Sequence, residues 1–129
     1  MKYILPGKPN PLRRPRFTAN RVWDSQKSEK LCTGITIGNI HGDHPFYEPP
    51  IAIEFKFYFK MPKKVNNLRG IHQFDEFSHY PDIDNLIKYY LDCCNGLIWL
   101  DDRFVTKIFS EKLYDLEART EMEVWTIKK

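Results

Sequence analysis

The alternation along Ile51-Ala52-Ile53-Glu54-Phe55-Lys56-Phe57-Tyr58-Phe59-Lys60 is the strongest periodic signal in the chain. Ile51, Ile53, Phe55, Phe57 and Phe59 share one side of a period-two pattern, and Glu54, Lys56 and Lys60 share the other with Ala52 and Tyr58. The segment therefore predicts a strand with one face in a core. A helical period takes over after Pro81: Ile83, Leu86, Ile87, Tyr90, Leu91 and Cys94 recur on one side, Asp82 or Asp84 stands at the N-cap position, and Gly96 closes the run. Residues 1–5 predict a short strand broken by Pro6-Gly7, and residues 104–113 and 121–127 predict two more. Prolines 9, 11 and 15 exclude a regular helix from residues 8–20. Glycines 34, 38 and 42 with prolines 45, 49 and 50 predict a loop over 33–50, with a short strand at 35–37. Residues 61–80 lose periodicity and read as a long loop. The order β-β-α-β-β predicts a single domain of α+β class, a small mixed β-sheet packed with one principal helix.

The polar positions change the picture. Asp82, Asp84 and Asp92 lie within the helical segment, and Asp101-Asp102 follow the short apolar run 97–100. Carboxylates this dense among apolar residues repel one another unless a cation sits among them or they share protons. If the 97–100 run folds back along the helix, Asp82, Asp84 and Asp102 meet at one point, an oxygen set suited to Mg²⁺ or Mn²⁺. Lys88, one turn past Asp84, is placed to neutralise a phosphate or to position water. That constellation predicts metal-assisted phosphodiester hydrolysis. Taken singly, each acid has an ordinary employment: Asp82 as a helix cap, Asp84 with Lys88 as a surface ion pair, Asp101-Asp102 as a turn, and Asp92 as a support that pairs with Lys88.

Composition sharpens this. Residues 1–30 carry eight Lys or Arg against Asp24 and Glu29, a balance of +6, so the rest of the chain sums to −3. A basic front on a more acidic body suits a polyanion held beside a carboxylate site; a solvated basic face is the alternative. No apolar run is long enough to cross a bilayer. The three cysteines form no even disulfide framework, which predicts buried thiols in a reducing, cytoplasmic setting. The four histidines lack zinc-ligand spacing.

Pro81-Asp82-Ile83-Asp84-Asn85-Leu86-Ile87-Lys88, followed by Leu91-Asp92, Asn95-Gly96, Trp99, Asp101-Asp102, Val105 and Lys112, resembles the RusA-type Holliday junction resolvases. The upstream Arg13-Arg14-Pro15-Arg16-Phe17 and Val22-Trp23-Asp24-Ser25-Gln26-Lys27 resemble the basic N-terminal signature of the same family. The resemblance spans nearly the whole chain and is weakest over 31–80, and Cys93-Cys94 departs from the small or apolar residues usual there. It implies a RusA-like fold and a Mg²⁺-dependent endodeoxyribonuclease, with Mn²⁺ able to substitute, that nicks opposing strands of a four-way DNA junction in recombination and repair. It further implies a homodimer of bacterial or prophage origin, with no small-molecule cofactor. Asp82, Asp84 and Asp102 match its metal-binding carboxylates and Lys88 its essential lysine, with Asp101 and Asp92 in support. Arg13, Arg14, Arg16, Arg21, Lys27, Lys63, Lys64, Arg69 and Lys112 are the cations expected to hold DNA phosphates. Phe17, Trp23 or Phe74 are candidates to stack on bases. A nuclease for other branched or flapped DNA, and a catalytically silent junction-binding protein, are the rival readings.

Overall fold

The computed structural model describes residues 1–13, 16–18, 21–23 and 26–128, and for residues 16–18, 21–23 and 65 the backbone alone. A four-stranded mixed sheet runs in the order β1-β6-β4-β5, built from β1 (Lys2–Pro6), β4 (Ile51–Lys60), β5 (Val105–Asp115) and β6 (Arg119–Thr126). A separate hairpin pairs β2 (Arg16–Thr18) with β3 (Arg21–Trp23). β6 is antiparallel to both β1 and β4, whereas β5 runs parallel to β4. Parallel neighbours need a long crossover. Here the crossover is the segment from Met61 through helix α2 (Ile83–Cys94), so α2 runs back along the sheet against the direction of β4.

β4 is the strand that its alternation predicts. Ile51, Ile53, Phe55, Phe57 and Phe59 are all buried in one cluster with Tyr3 and Leu5 of β1, Met122 and Val124 of β6, and Leu86, Tyr89, Tyr90, Cys93 and Cys94 of α2. Phe55 and Phe57 stack at 5.2 Å between ring centroids, and Tyr90 tilts over both. Burial of Cys94 pushes its thiol well above the usual range, as befits an inert packing thiol. Cys32 is exposed, so only two of the three cysteines are buried as expected.

The expected loop over 33–50 is a correction. Residues Lys27–His41 form a helix, α1, that packs against α2 and β1, and no strand forms at 35–37. Gly34 has a packing reason: a Cβ there would come within 3.2 Å of Leu97 Cδ1. The sheet is therefore covered by two helices, with Ile37 of α1 and Trp99 beyond α2 sealing the core.

The 61–82 segment contains only a short 3-10 turn, Lys64–Asn66, and is fastened to the edge of the sheet. The Phe74 N–H donates to Tyr114 O, the Tyr114 N–H to Asp75 O, and the Phe77 N–H to Lys112 O. Phe77 stacks on Phe59 at 4.0 Å. The loop thus acts as a partial fifth strand along the C-terminal half of β5.

Candidate active site

Asp82 is the N-cap residue of α2 and Asp84 lies in its first turn. Both are exposed at the positive end of the helix dipole. Neither carboxylate has the ordinary employment that its position suggests. The Asp82 side chain accepts no cap hydrogen bond. Lys88 makes no ion pair with Asp84, although the two are four residues apart. Among the described residues, two adjacent acids therefore stand at a helix start with no protein partner. Asp92 pairs with Lys30 of α1 at 3.7 Å, not with Lys88, so it ties the two helices together.

The approach to Asp82 is held from below. Lys112 of β5 donates from Nζ to His79 O at 2.7 Å and to Pro81 O at 2.8 Å, and its ammonium lies over the Phe77 ring. Lys112 sits on the inner face of the sheet opposite Phe57, which brings its side chain under the N-terminus of α2. The expected phosphate contact is thus engaged with two of the three carbonyls that lead into Asp82, those of His79 and Pro81.

The basic front is rooted at the same place. The Leu12 N–H donates to Asn85 O, in the first turn of α2. Fully buried Gln26 accepts from the Arg13 N–H at 2.6 Å and donates to Pro11 O at 2.7 Å, and Arg13 pairs with Glu29. The hairpin segment between Arg13 and Gln26 therefore leaves and re-enters the molecule beside Asp84 and Asn85. Arg14 lies outside the described residues, as do the side chains of Arg16, Phe17, Arg21 and Trp23. Lys27, Lys63, Lys64, Arg69 and Phe74 are exposed.

The second acidic pair divides. Asp101 caps the turn Asp102–Phe104 by accepting from the Arg103 N–H, the structural role open to it from sequence. Asp102 accepts from Asn95 Nδ2 at 3.4 Å, and Asn95 Oδ1 in turn accepts from the indole of buried Trp99 at 2.7 Å. Asn95 is the C-cap residue of α2, so Asp102 stands at the opposite end of that helix from Asp82. The twelve residues of α2 separate the two ends by about 18 Å. The expected meeting of Asp82, Asp84 and Asp102 within one chain is therefore corrected. Among the described residues no three His, Cys, Asp or Glu side chains lie close enough to hold an ion. The reason is topological: a parallel crossover places the start of α2 over the end of β4 and the start of β5 at the other end of the sheet. Asp82 and Asp84 remain two exposed carboxylates at the helix start, oxygen donors of the kind that hard divalent cations take.

Sequence reasoning named Gln26 and Asn95 only within the stretches that carry the family resemblance and gave neither a role, and it missed the clamping role of Lys112.

A mixed sheet under two helices thus presents, at a helix start beside a basic arm, two carboxylates that pair with no described residue. The comparison with known proteins is specific: a sequence model of the family described as Endodeoxyribonuclease RusA matches residues 6–125. The chain belongs to that family. It is also 27% identical over 134 aligned positions to the uncharacterized protein YqaN of Bacillus subtilis (strain 168), spanning 96% of this chain and 94% of that one.

Proposed function

We propose that this protein is a divalent-metal-dependent, structure-selective endodeoxyribonuclease that resolves four-way DNA junctions in recombination and repair. The observation that carries the reading is the pair Asp82 and Asp84 at the start of α2, without a partner among the described residues, in a chain of the RusA family. Two exposed acids close together at a helix start, with no counter-charge among the described residues, form the place where a divalent cation is most favourably taken up.

Asp82 and Asp84 are the proposed holders of Mg²⁺, with Mn²⁺ able to substitute; Asp102, matched by resemblance to the third carboxylate, stands at the other end of α2 and does not reach them within one chain. Such an ion, when bound, acidifies water and neutralises charge on the scissile phosphate. The chain's own groups do the rest. Lys112 fixes the height of the Asp82 backbone, and exposed Lys88 faces solvent a turn further on, within reach of a phosphate gripped at Asp84. Arg13 and the arm that follows it, with Lys27, Lys63, Lys64 and Arg69, supply phosphate contacts that recognise shape without reading bases.

A synthetic mobile four-way junction, incubated with Mg²⁺ beside duplex and flap substrates, tests the reading. Paired nicks in opposing strands are expected. Cutting of flaps alone assigns the enzyme to other branched DNA, and a gel shift without cutting assigns it to binding.

A further inference from the structure

Residues 62–73 form a finger rooted at the end of the sheet where α2 begins. The Met61 N–H donates to Asp115 O at 2.9 Å and the Phe74 N–H to Tyr114 O at 2.8 Å, so both roots are pinned to the last residues of β5. Gln73 adds a bond from Nε2 to Asp115 Oδ1 at 2.7 Å, and the His72 N–H donates to Asp75 Oδ2 at 2.8 Å. The same stretch of β5 carries Lys112, which holds the Pro81 carbonyl ahead of Asp82. Finger and acidic pair thus share one support.

The tip of the finger is a closed turn. Asn67 Nδ2 donates to Ile71 O and Asn67 Oδ1 accepts from the Ile71 N–H, each at 2.9 Å, and the Gly70 N–H reaches Asn67 O at 3.4 Å. Gly70 has a φ of +66°, a left-handed conformation that glycine adopts without strain. Leu68 and Arg69 are the central residues of this turn. Leu68 is 94% exposed, the most of any large apolar residue described, with Tyr80 next at 74%. A single exposed leucine is ordinary on a protein surface. This one stands at the apex of a turn that hydrogen bonds hold in shape, on a finger tied at both roots. Lys63, Lys64 and Arg69 flank it in the chain and are exposed, and among the described residues none of them pairs with an acid.

We propose that Leu68 is an apolar wedge that enters the base stack at the branch point of DNA, with Lys63, Lys64 and Arg69 on the neighbouring phosphates. Uncompensated cations draw a polyanion to the finger. A leucine among them gains nothing from phosphate. It gains only by leaving water against an apolar surface, and in DNA the apolar surfaces are the faces of the bases. Stacking covers those faces in an intact duplex, and prising a step apart is costly; at a branch point the stack is already interrupted. The wedge therefore adds affinity for branched DNA and little for duplex, which makes Leu68 a specificity-determining residue set apart from the acids. An anionic membrane also joins negative charge to an apolar interior, but the finger is rooted beside the acidic pair in a chain of an endodeoxyribonuclease family, which favours DNA. The inference rests on the proposed function only in taking branched DNA as the substrate.

The test compares full-length wild type, Leu68→Ala and Leu68→Phe without divalent metal. The ligands are an immobile four-way junction carrying 2-aminopurine beside the branch point, and a duplex of the same sequence. Because the Leu68 side chain is exposed, all three proteins should melt together. Wild type and Leu68→Phe are expected to raise the 2-aminopurine fluorescence as the base unstacks. Leu68→Ala should leave the fluorescence low and bind the junction about tenfold more weakly, with duplex affinity unchanged. Equal fluorescence from wild type and Leu68→Ala, or equal losses on junction and duplex, overturns the wedge. So does a Leu68→Ala defect confined to vesicles containing phosphatidylserine, which would assign the tip to a membrane. Nicking enters neither readout. A wild type that unstacks the base yet cuts no junction when Mg²⁺ is added overturns the nuclease reading and leaves the wedge standing; one that cuts while Leu68→Ala behaves identically does the reverse.

Discussion

Three side chains define the site at the scale of the residue: Asp82, whose carboxylate caps nothing; Lys112, whose ammonium is engaged by two carbonyls; and Asn95, which joins Trp99 to Asp102. Each makes a different prediction. Asp82→Asn and Asp84→Asn remove charge from groups that pair with no described residue. They should leave the melting temperature within about a degree or two of wild type while reducing nicking on the order of 10³-fold, the scale of several kcal/mol of transition-state stabilisation. Lys112→Met frees the His79 and Pro81 carbonyls. Nicking of a saturating junction should fall about 10–100-fold, as for other residues that orient ligands, with little change in junction affinity, and Lys112→Arg should recover part of the loss. A loss confined to affinity would make Lys112 a phosphate contact instead. Asn95→Ala leaves the buried Trp99 N–H without its acceptor, and denaturant titration should show a cost of about 1–3 kcal/mol.

Among the elements, those fixed by a strong local period were legible and those fixed by tertiary contact were not. β4 and α2 were readable because five alternating apolar residues and a helical stripe each specify a face to bury; Phe57→Ala in the first of these should cost about 3–5 kcal/mol. α1 was not, because its glycines at 34 and 38 weaken helix propensity and its apolar positions do not form one stripe. What holds it is packing and charge: Ile37 in the core, Lys30 on Asp92, and Gly34 against Leu97. The acids themselves were legible in the sequence, and their separation was not, since it follows from a parallel β4–β5 pairing that no local pattern announces. The turn from β5 to β6 adds a pH dependence. Arg119 pairs with Asp115 and with Glu121, each at 2.7 Å. Burial opposes ionisation of both acids, but hydrogen bonds from Arg119 to each, from the Leu116 N–H and Gln73 to Asp115, and from Lys2 to Glu121 outweigh it and lower both values. A carboxylate depressed in the folded state stabilises at pH above its unfolded value and loses that contribution as pH falls through the folded one. Stability should therefore be level near neutrality and decline below about pH 4, and Asp115→Asn should flatten that decline in melting curves recorded across the range.

For the molecule as a whole, charge is segregated: a basic arm rooted by Leu12, Arg13 and Gln26 beside the first turn of an acidic helix. Such a surface binds by counterion release. Arg14→Ala, Lys64→Ala or Arg69→Ala should each weaken junction binding and reduce the slope of log affinity against log salt by about one for every phosphate no longer neutralised, leaving the rate of nicking at saturation intact. Retention of binding after removal of the acids, and of catalysis after removal of single cations, is the division of labour that the fold implies. The most direct measurement compares wild type, Asp82→Asn and Asp84→Asn on one labelled four-way junction with Mg²⁺, scoring nicks and gel shift in the same samples. Paired nicks are predicted from the wild type, none from either variant, and an undiminished shift from all three; nicking by both variants at the wild-type rate would contradict the assignment of Asp82 and Asp84 to the metal.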